Sequence, residues 1–231
     1  MGFPTAKAQV FIDIESGLVF GGYNDVRIPG DGGTRFSLTD DLKSENEWFY
    51  RLRGGFTFNK RHTISLLYAP LTVKSDGSID RPIEFSGTTF PSNTPLNGTY
   101  KFNSYRLTYR YDFVHKTKTE FGLGVTAKIR DAKIDLSSQG LAAEKENFGV
   151  VPLINFRLAL NGEKLGFLLE GDALAAPQGR AEDVLAALTF KLSDKITWKL
   201  GYRILEGGAD NDEVYTFAMF HYASTGFIID L

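Results

Sequence analysis

The sequence is poor in several residue types, and each shortage excludes a class of protein. Its 231 residues include no cysteine, which excludes a disulfide scaffold, thiolate catalysis and cysteine-ligated zinc. Three histidines are too few for a multi-histidine metal site. The formal net charge of −2 lacks the basic excess of a general nucleic-acid-binding protein. No apolar run of about 18 residues occurs, so the sequence predicts no transmembrane helix.

Aromatic residues and glycine are abundant instead. The 19 phenylalanines, 10 tyrosines and 24 glycines are typical of strands joined by tight turns. From Gln9 onward the hydrophobic pattern has a period of two residues, which predicts a single all-β domain. Ten strands are expected, at residues 9–28, 47–58, 62–74, 99–114, 119–136, 147–161, 165–175, 182–193, 195–205 and 213–231.

Short and long connections alternate between the predicted strands. Because alternate connections of an antiparallel meander lie at the same end, one end should carry tight turns and the other long loops. This sorting is typical of membrane barrels with short periplasmic turns and longer external loops. The short connections are 59–61, 115–118, 162–164 and residue 194, and the long ones are 29–46, 75–98, 137–146, 176–181 and 206–212.

The two faces of the strands differ sharply, as the fifth strand illustrates. An apolar face there includes Leu123 and Val125, whereas the other face includes Thr126 and Lys128. A soluble barrel would turn the apolar face inward, and a membrane barrel would turn it to lipid. Long strands and aromatic residues near strand ends favour the membrane barrel. These aromatic residues are Trp48 and Phe148 at the loop end and Phe58, Tyr111, Phe113, Phe121, Phe190 and Trp198 at the turn end.

On these features the chain resembles the small monomeric outer-membrane β-barrel proteins of bacteria, over nearly its whole length. The last strand ends at the carboxyl terminus with Phe227, Ile229 and Leu231 on one face, like the family's insertion signal, although the final residue is not aromatic. The resemblance implies a single antiparallel up-and-down transmembrane β-barrel at residues 9–231, of about ten strands, with eight or twelve as alternatives. Residues 1–8 are expected to be a signal-peptide remnant or a frayed N-terminus.

The resemblance also implies a location and a set of partners. The chain is expected in the bacterial outer membrane as a monomer, with its long loops external and its short turns periplasmic. Its partners would be outer-membrane lipid, lipopolysaccharide and the barrel-assembly machinery, which would read the C-terminal strand. Neither a nucleic acid nor a cofactor nor a metal ion is expected.

Strand parity predicts a lumen lined by charged side chains. Ten bases against five acids indicate either a structural network of paired charges or a narrow pore that prefers anions. A barrel of ten strands should be largely filled by its side chains. The predicted set is Asp13, Glu15, Arg51, Arg53, Arg106, Arg110, Asp112, Lys128, Arg130, Arg157, Glu170, Asp172, Lys191, Lys199 and Arg203.

Two prolines and one loop offer further hypotheses. Pro70 and Pro152 interrupt the third and sixth strands, where each removes a backbone donor. They mark either a lateral opening in the wall, as in some lipid-handling barrels, or a tolerated kink. Apolar residues in the loop 75–98 could form a ligand mouth, an adhesive surface or a cap on the barrel.

The sequence gives no support for catalysis. Barrels of similar size include the omptin proteases and the hydrolases that modify lipid A, and omptins use a histidine near the outer rim. No long loop of this chain contains histidine, and Ser224 lies three residues from His221, on the opposite face of a regular strand. We therefore expect a structural role, or passive transport or binding of a small or lipidic ligand. The alternatives are a surface adhesin and a lipid A-modifying hydrolase.

Overall fold

The computed structural model describes residues 9–177 and 179–231, and these residues form a closed antiparallel β-barrel. The predicted fold class is confirmed, and the ring has ten strands. Among the described residues, no helix is long and apolar enough to cross a membrane. The predicted signal remnant at residues 1–8 lies outside the described residues. The barrel strands are β1 Gln9–Arg27, β2 Glu47–Phe58, β3 His62–Ala69, β4 Pro95–Lys116, β5 Thr119–Ser138, β6 Leu141–Leu160, β7 Leu165–Ala176, β8 Gly179–Lys191, β9 Ile196–Asp210 and β10 Tyr215–Asp230.

Each strand pairs with the next, and β10 closes the ring by pairing with β1 from Phe11 opposite Asp230 to Arg27 opposite Tyr215. Closure leaves the ring without free edge strands, which is the condition for a sheet to span lipid. Thr72–Ser78 continues β3 along the same neighbour, β4, beyond the interruption at Pro70.

The apolar face of the strands points outward. Trp48, Phe148 and Val125 are 77%, 74% and 64% exposed, whereas the luminal Arg203 is 2% exposed. A soluble barrel would not expose so continuous an apolar surface to water, whereas a membrane barrel turns such a surface to lipid. The structure therefore has the faces of a membrane barrel, and the soluble alternative is excluded.

The alternation inverts along β5, and the inversion marks the edge of the apolar band. Up to Ile129 the outward side chains are apolar, but the next outward residues, Asp131 and Lys133, are charged. The inward residues change in the opposite sense, since Ile134 and Leu136 are buried. The strand thus leaves lipid near Ile129 and continues into water above an apolar core.

Three of the five long connections predicted at one end are wrong. β5 and β6 are joined by Gln139 and Gly140 alone, both with positive φ, and β7 ends at Ala176, just before β8 begins at Gly179. Likewise only residues 211–214 separate β9 from β10. The strands extend beyond the apolar band. There the outward-facing residues are no longer apolar, but the backbone hydrogen bonds between the strands continue.

The two remaining long connections fold over the same end of the barrel, which we call the loop end. Residues 28–46 and 79–94, with the hairpin of Ile83–Phe85 and Thr88–Phe90, form an apolar core above the lumen. The apolar residues of the loop 75–98 are therefore buried in a cap. The core contains Val26, Ile28, Phe36, Leu38, Leu42, Ile79, Ile83, Phe85, Phe90, Leu96, Ile134 and Leu136.

Insertion into a membrane tests the assignment of faces. Leu123→Arg should reduce the folded, heat-modifiable barrel in vesicles, because an arginine facing the middle of a bilayer costs about 2–4 kcal/mol. Leu141→Arg is the matched control, since Leu141 at the loop end is 39% exposed and Leu123 is 40% exposed. Equal folding of the two variants would contradict the lipid-facing assignment of Leu123.

Candidate functional site

A buried carboxylate, Asp183 on β8, is the hub of the luminal charges. It is 2% exposed and accepts hydrogen bonds from Arg51 at 2.8 Å, from Arg203 at 2.5 Å and from Arg106. The three arginines come from β2, β9 and β4, so one carboxylate ties together strands on opposite sides of the barrel. Charge-assisted bonds of this kind are among the strongest in proteins.

A second hub lies beside the first, on β1. Glu15 accepts bonds from Nε and Nη2 of Arg203 at 2.7 and 2.8 Å, a bidentate pair. Lys199 Nζ lies 3.1 Å from Glu15 and 2.7 Å from Asp13. Arg203 thereby links this hub to Asp183, and the two hubs form one continuous network across the lumen.

The network continues toward the end of the barrel with the tight turns. Arg53 donates to Glu170 at 2.8 Å, and Arg157 donates to Glu120 at 2.6 Å. At the level of these ion pairs the lumen is filled by its side chains. In all, eight bases and seven acids take part or lie against it: Arg51, Arg53, Arg106, Arg110, Lys128, Arg157, Lys199 and Arg203, with Asp13, Glu15, Asp112, Glu120, Glu170, Asp172 and Asp183.

Sequence parity misses two acids of this network and includes two bases that lie outside it. Asp183 and Glu120 face the lumen, which reduces the excess of positive charge expected there. Lys191 lies instead at the turn-end rim, where its half-exposed side chain pairs with Asp194 at 2.8 Å. Arg130 lies above the network and donates to Asn147. Residues 182–183 are both acids, so the alternation of polar and apolar residues does not show which of them faces the lumen.

One luminal cation differs from the others. Lys128 on β5 is 3% exposed, and its Nζ lies 4.5 Å from the centroid of the Phe102 ring. No carboxylate of the described residues lies within salt-bridge distance of this ammonium, whereas each other base of the network has one. A buried charge without an ionic partner is costly.

A cavity of about 250 Å³ separates the charge network from the cap. Lys128 lies on its wall beside Phe102, and Ile28 and Ile134 of the cap core border it at the loop end. Most of the remaining lining is apolar. It includes Val151 of β6, Leu174 and Ala176 of β7, Leu205 of β9 and Val214, Ala218 and Phe220 near β10.

The wall beside this cavity is incomplete. β6 pairs with β5 over its whole length but with β7 only from Leu160 to Ile154, opposite Phe167 to Ala173. The remainder of β6, from Leu153 to the loop end, has no partner strand on the β7 side among the described residues. The cavity is lined from both sides of this break.

Pro152 lies at the first step of the break. Asn161 donates to Lys118 at the start of the β5–β6 ladder, so odd-numbered residues of β6 bond to β5 and even-numbered residues face β7. The next hydrogen-bonded pair after Ile154 and Ala173 would be Pro152 and Ala175. Because proline has no N–H, it cannot donate to β7, whereas the ladder to β5 stays intact.

Pro70 follows the same rule on β3. Asp112 of β4 donates to Arg61, so even-numbered residues of β3 face β2, and the pairing with β2 ends at Tyr68. Pro70 is thus the first residue of this chain segment that faces β2 without pairing with it. This second break is filled, however, because only about 10 Å³ of free space remains beside it. Its filling is an apolar cluster of Val19, Phe49, Leu71, Val73, Leu205, Ala218, Phe220 and Tyr222.

Charged side chains at the rim of the cavity are engaged with one another. Arg180 Nε bonds both carboxylate oxygens of Glu206, at 2.7 and 2.9 Å, above the apolar band. Partial burial raises the pKa of Glu206, but the hydrogen bonds from Arg180 and Tyr23 outweigh it and lower the pKa below its usual value. Arg180 and Glu206 are therefore already paired with each other.

The histidines do not form a catalytic arrangement with a carboxylate or a serine. His221 faces outward, where Nδ1 lies within hydrogen-bond distance of Tyr202 and the ring stacks on Phe20 at 5.4 Å. Ser224 is 3% exposed and faces inward. Among residues 9–177 and 179–231 no cluster of three or more His, Cys, Asp or Glu residues suits a metal ion.

The comparisons with known proteins concern the fold. No protein-family model matches the chain, and no curated protein matches it. The outer membrane protease OmpT from Escherichia coli is similar with a TM-score of 0.60 and 9% identity, over 96% of this chain and 97% of that chain. The transport unit of the autotransporter AIDA-I from Escherichia coli gives 0.50 and 10%, over 100% and 93%. The chain thus has the fold of bacterial outer-membrane β-barrels, as its sequence features indicate.

The hub at Asp183 can be tested by equilibrium unfolding in micelles. Asp183→Ala should lower the free energy of unfolding by about 3–5 kcal/mol, because it leaves buried arginines without their carboxylate. Glu182→Ala is the matched control, since the neighbouring carboxylate is exposed and should change the free energy by no more than about 0.5 kcal/mol. Equal effects would contradict the central role of Asp183.

Proposed function

We propose that the protein is an outer-membrane barrel that binds a lipidic ligand, which reaches the lumen sideways, through the wall between β6 and β7. The observation that carries the proposal is the apolar cavity of about 250 Å³ beside the break at Pro152. In this proposal the loop end faces outward, so the break opens toward the outer leaflet. The outward side chains of β6 along the break, Val150 and Phe148, are apolar and 66% and 74% exposed, as contact with lipid requires.

The charge network obstructs the axial route from the turn end, and the cap core covers part of the loop end, which favours lateral access. On one side Asp183 and Glu15 hold arginines from three strands across the lumen. On the other side the cap core covers part of the loop end with fully buried residues such as Phe85 and Phe90. The same burial disfavours the adhesin alternative, because the apolar residues of the loop 75–98 are not available to a partner.

Conductance separates this function from a pore. The wild-type barrel in a planar bilayer should pass negligible current, since the network leaves no continuous aqueous path along the axis. Single-channel recording is the measurement, with a porin as positive control. A steady anion-selective current would contradict a ligand-binding barrel and favour the pore.

A reversible disulfide tests the lateral route. The chain has no cysteine, so Pro152→Cys with Ala175→Cys introduces a single disulfide at the first unpaired step of the break. Oxidised before ligand is added, this variant should retain much less methyl dodecanoate, a neutral lipidic probe, and reduction should restore binding. Native mass spectrometry from a neutral detergent counts the bound probe.

The matched control places the same disulfide two residues closer to the tight turns on each strand. Ile154→Cys with Ala173→Cys joins residues that are already paired, so oxidation should leave binding unchanged. In the test variant, full formation of the disulfide between the two introduced cysteines is checked by mass. Undiminished binding with that disulfide complete would show that the ligand does not pass between β6 and β7.

A further inference from the structure

We infer that Lys128 binds the head group of the ligand, which identifies the ligand as a single-chain amphiphile with an anionic head group, of which a fatty acid is the simplest. This inference rests on the proposed function, because it concerns the occupant of the same cavity. It adds a ligand class and a residue that selects it.

The position of Lys128 carries the first step. Its side chain lies on the cavity wall, is 3% exposed and contacts the face of Phe102. On the backbone it pairs with Val151, the residue next to Pro152 at the break. The ammonium is therefore held in a largely apolar space beside the proposed lateral route.

The neighbouring carboxylates are already engaged, which is the second step. Asp183 accepts bonds from three arginines. Asp172 accepts from Arg106 at 2.7 Å and from Thr126 and Asn155 at 2.6 and 2.8 Å. Arg106, directly opposite Lys128 in the β4–β5 ladder, adds a like charge. An anion from outside the chain would supply the partner that a buried ammonium requires.

Three of the other cations on the cavity wall pair with carboxylates. Arg180 is bound by Glu206, Lys133 by Glu144, and Lys145 lies 3.8 Å from Glu213. Arg130 donates to the neutral side chain of Asn147 and, among the described residues, has no carboxylate within salt-bridge distance. Of these two cations, Arg130 and Lys128, Lys128 is the more deeply buried and lies nearer the break, and the apolar remainder of the lining matches one alkyl chain.

The test compares an acid with its methyl ester, which removes the charge and keeps the chain. The wild-type barrel should retain dodecanoate over methyl dodecanoate by about tenfold, the size of one charge-assisted hydrogen bond. Lys128→Met should abolish this preference by weakening dodecanoate binding and leaving the ester unchanged. Native mass spectrometry with both probes in competition gives the ratio directly.

Two further variants separate anchoring from a general effect of charge or folding. Lys128→Arg keeps the positive charge and should keep a preference for the acid. Lys133→Met removes a cavity cation that already pairs with a carboxylate, Glu144, and it should leave the ratio as in the wild type. Lys128→Met should fold normally, since it breaks no ion pair, and heat modifiability checks this in the same preparation.

The outcomes distinguish the two levels of the proposal. Binding of the ester and the acid with equal affinity to the wild type would overturn the anchor and leave the lateral binding site standing. A preference that survives in Lys128→Met would also overturn it. Retention of neither probe by the folded wild type would overturn the proposed function, and the anchor with it.

Discussion

Lipid offers no hydrogen-bond partner to a protein, and the rest of this structure depends on that constraint. The ten-stranded ring satisfies it by closing, so that each strand finds a neighbour on either side. The lumen satisfies a related condition, because charges that face inward must be paired when no bulk water reaches them. Asp183 and Glu15 meet this condition for Arg51, Arg106 and Arg203 together. A departure from full pairing in such a barrel therefore requires a physical explanation.

The two departures in the wall share a cause and differ in consequence. At both Pro70 and Pro152 the missing N–H would have pointed at a strand that is no longer paired, so neither proline interrupts a ladder that persists. Beside Pro70, side chains such as Phe49 and Leu71 fill the space. Beside Pro152 a cavity remains. A tolerated kink accounts for the filled break, whereas the open one is the basis of the proposed ligand route.

The sequence predicts the ring well because the bilayer imposes alternation on each strand that crosses it. It predicts the loop end poorly, since the outward face becomes polar above Ile129 while the strands continue. The prediction of a single luminal residue depends on a clear alternation of polar and apolar residues around it. Asp183 follows another acid, so the alternation there does not show which acid faces the lumen. The alternation along β5 alone predicts that Lys128 faces the lumen. Its lack of a carboxylate partner depends instead on residues of several other strands, and no local pattern carries such information.

Polar side chains connect β6 to β7 directly below the break at Pro152. Asn155 of β6 donates to the Gly171 carbonyl at 3.1 Å and to Asp172 Oδ1 at 2.8 Å, both on β7. Asp172 in turn accepts from Arg106 of β4. These bonds hold β6 against β7 at the last paired level and connect that level to the far side of the barrel. Because the brace ends where the pairing ends, the wall can stay open above it without the strands separating below. The lumen thus combines a lower half crossed by ion pairs with a cavity above it, on whose wall lies Lys128.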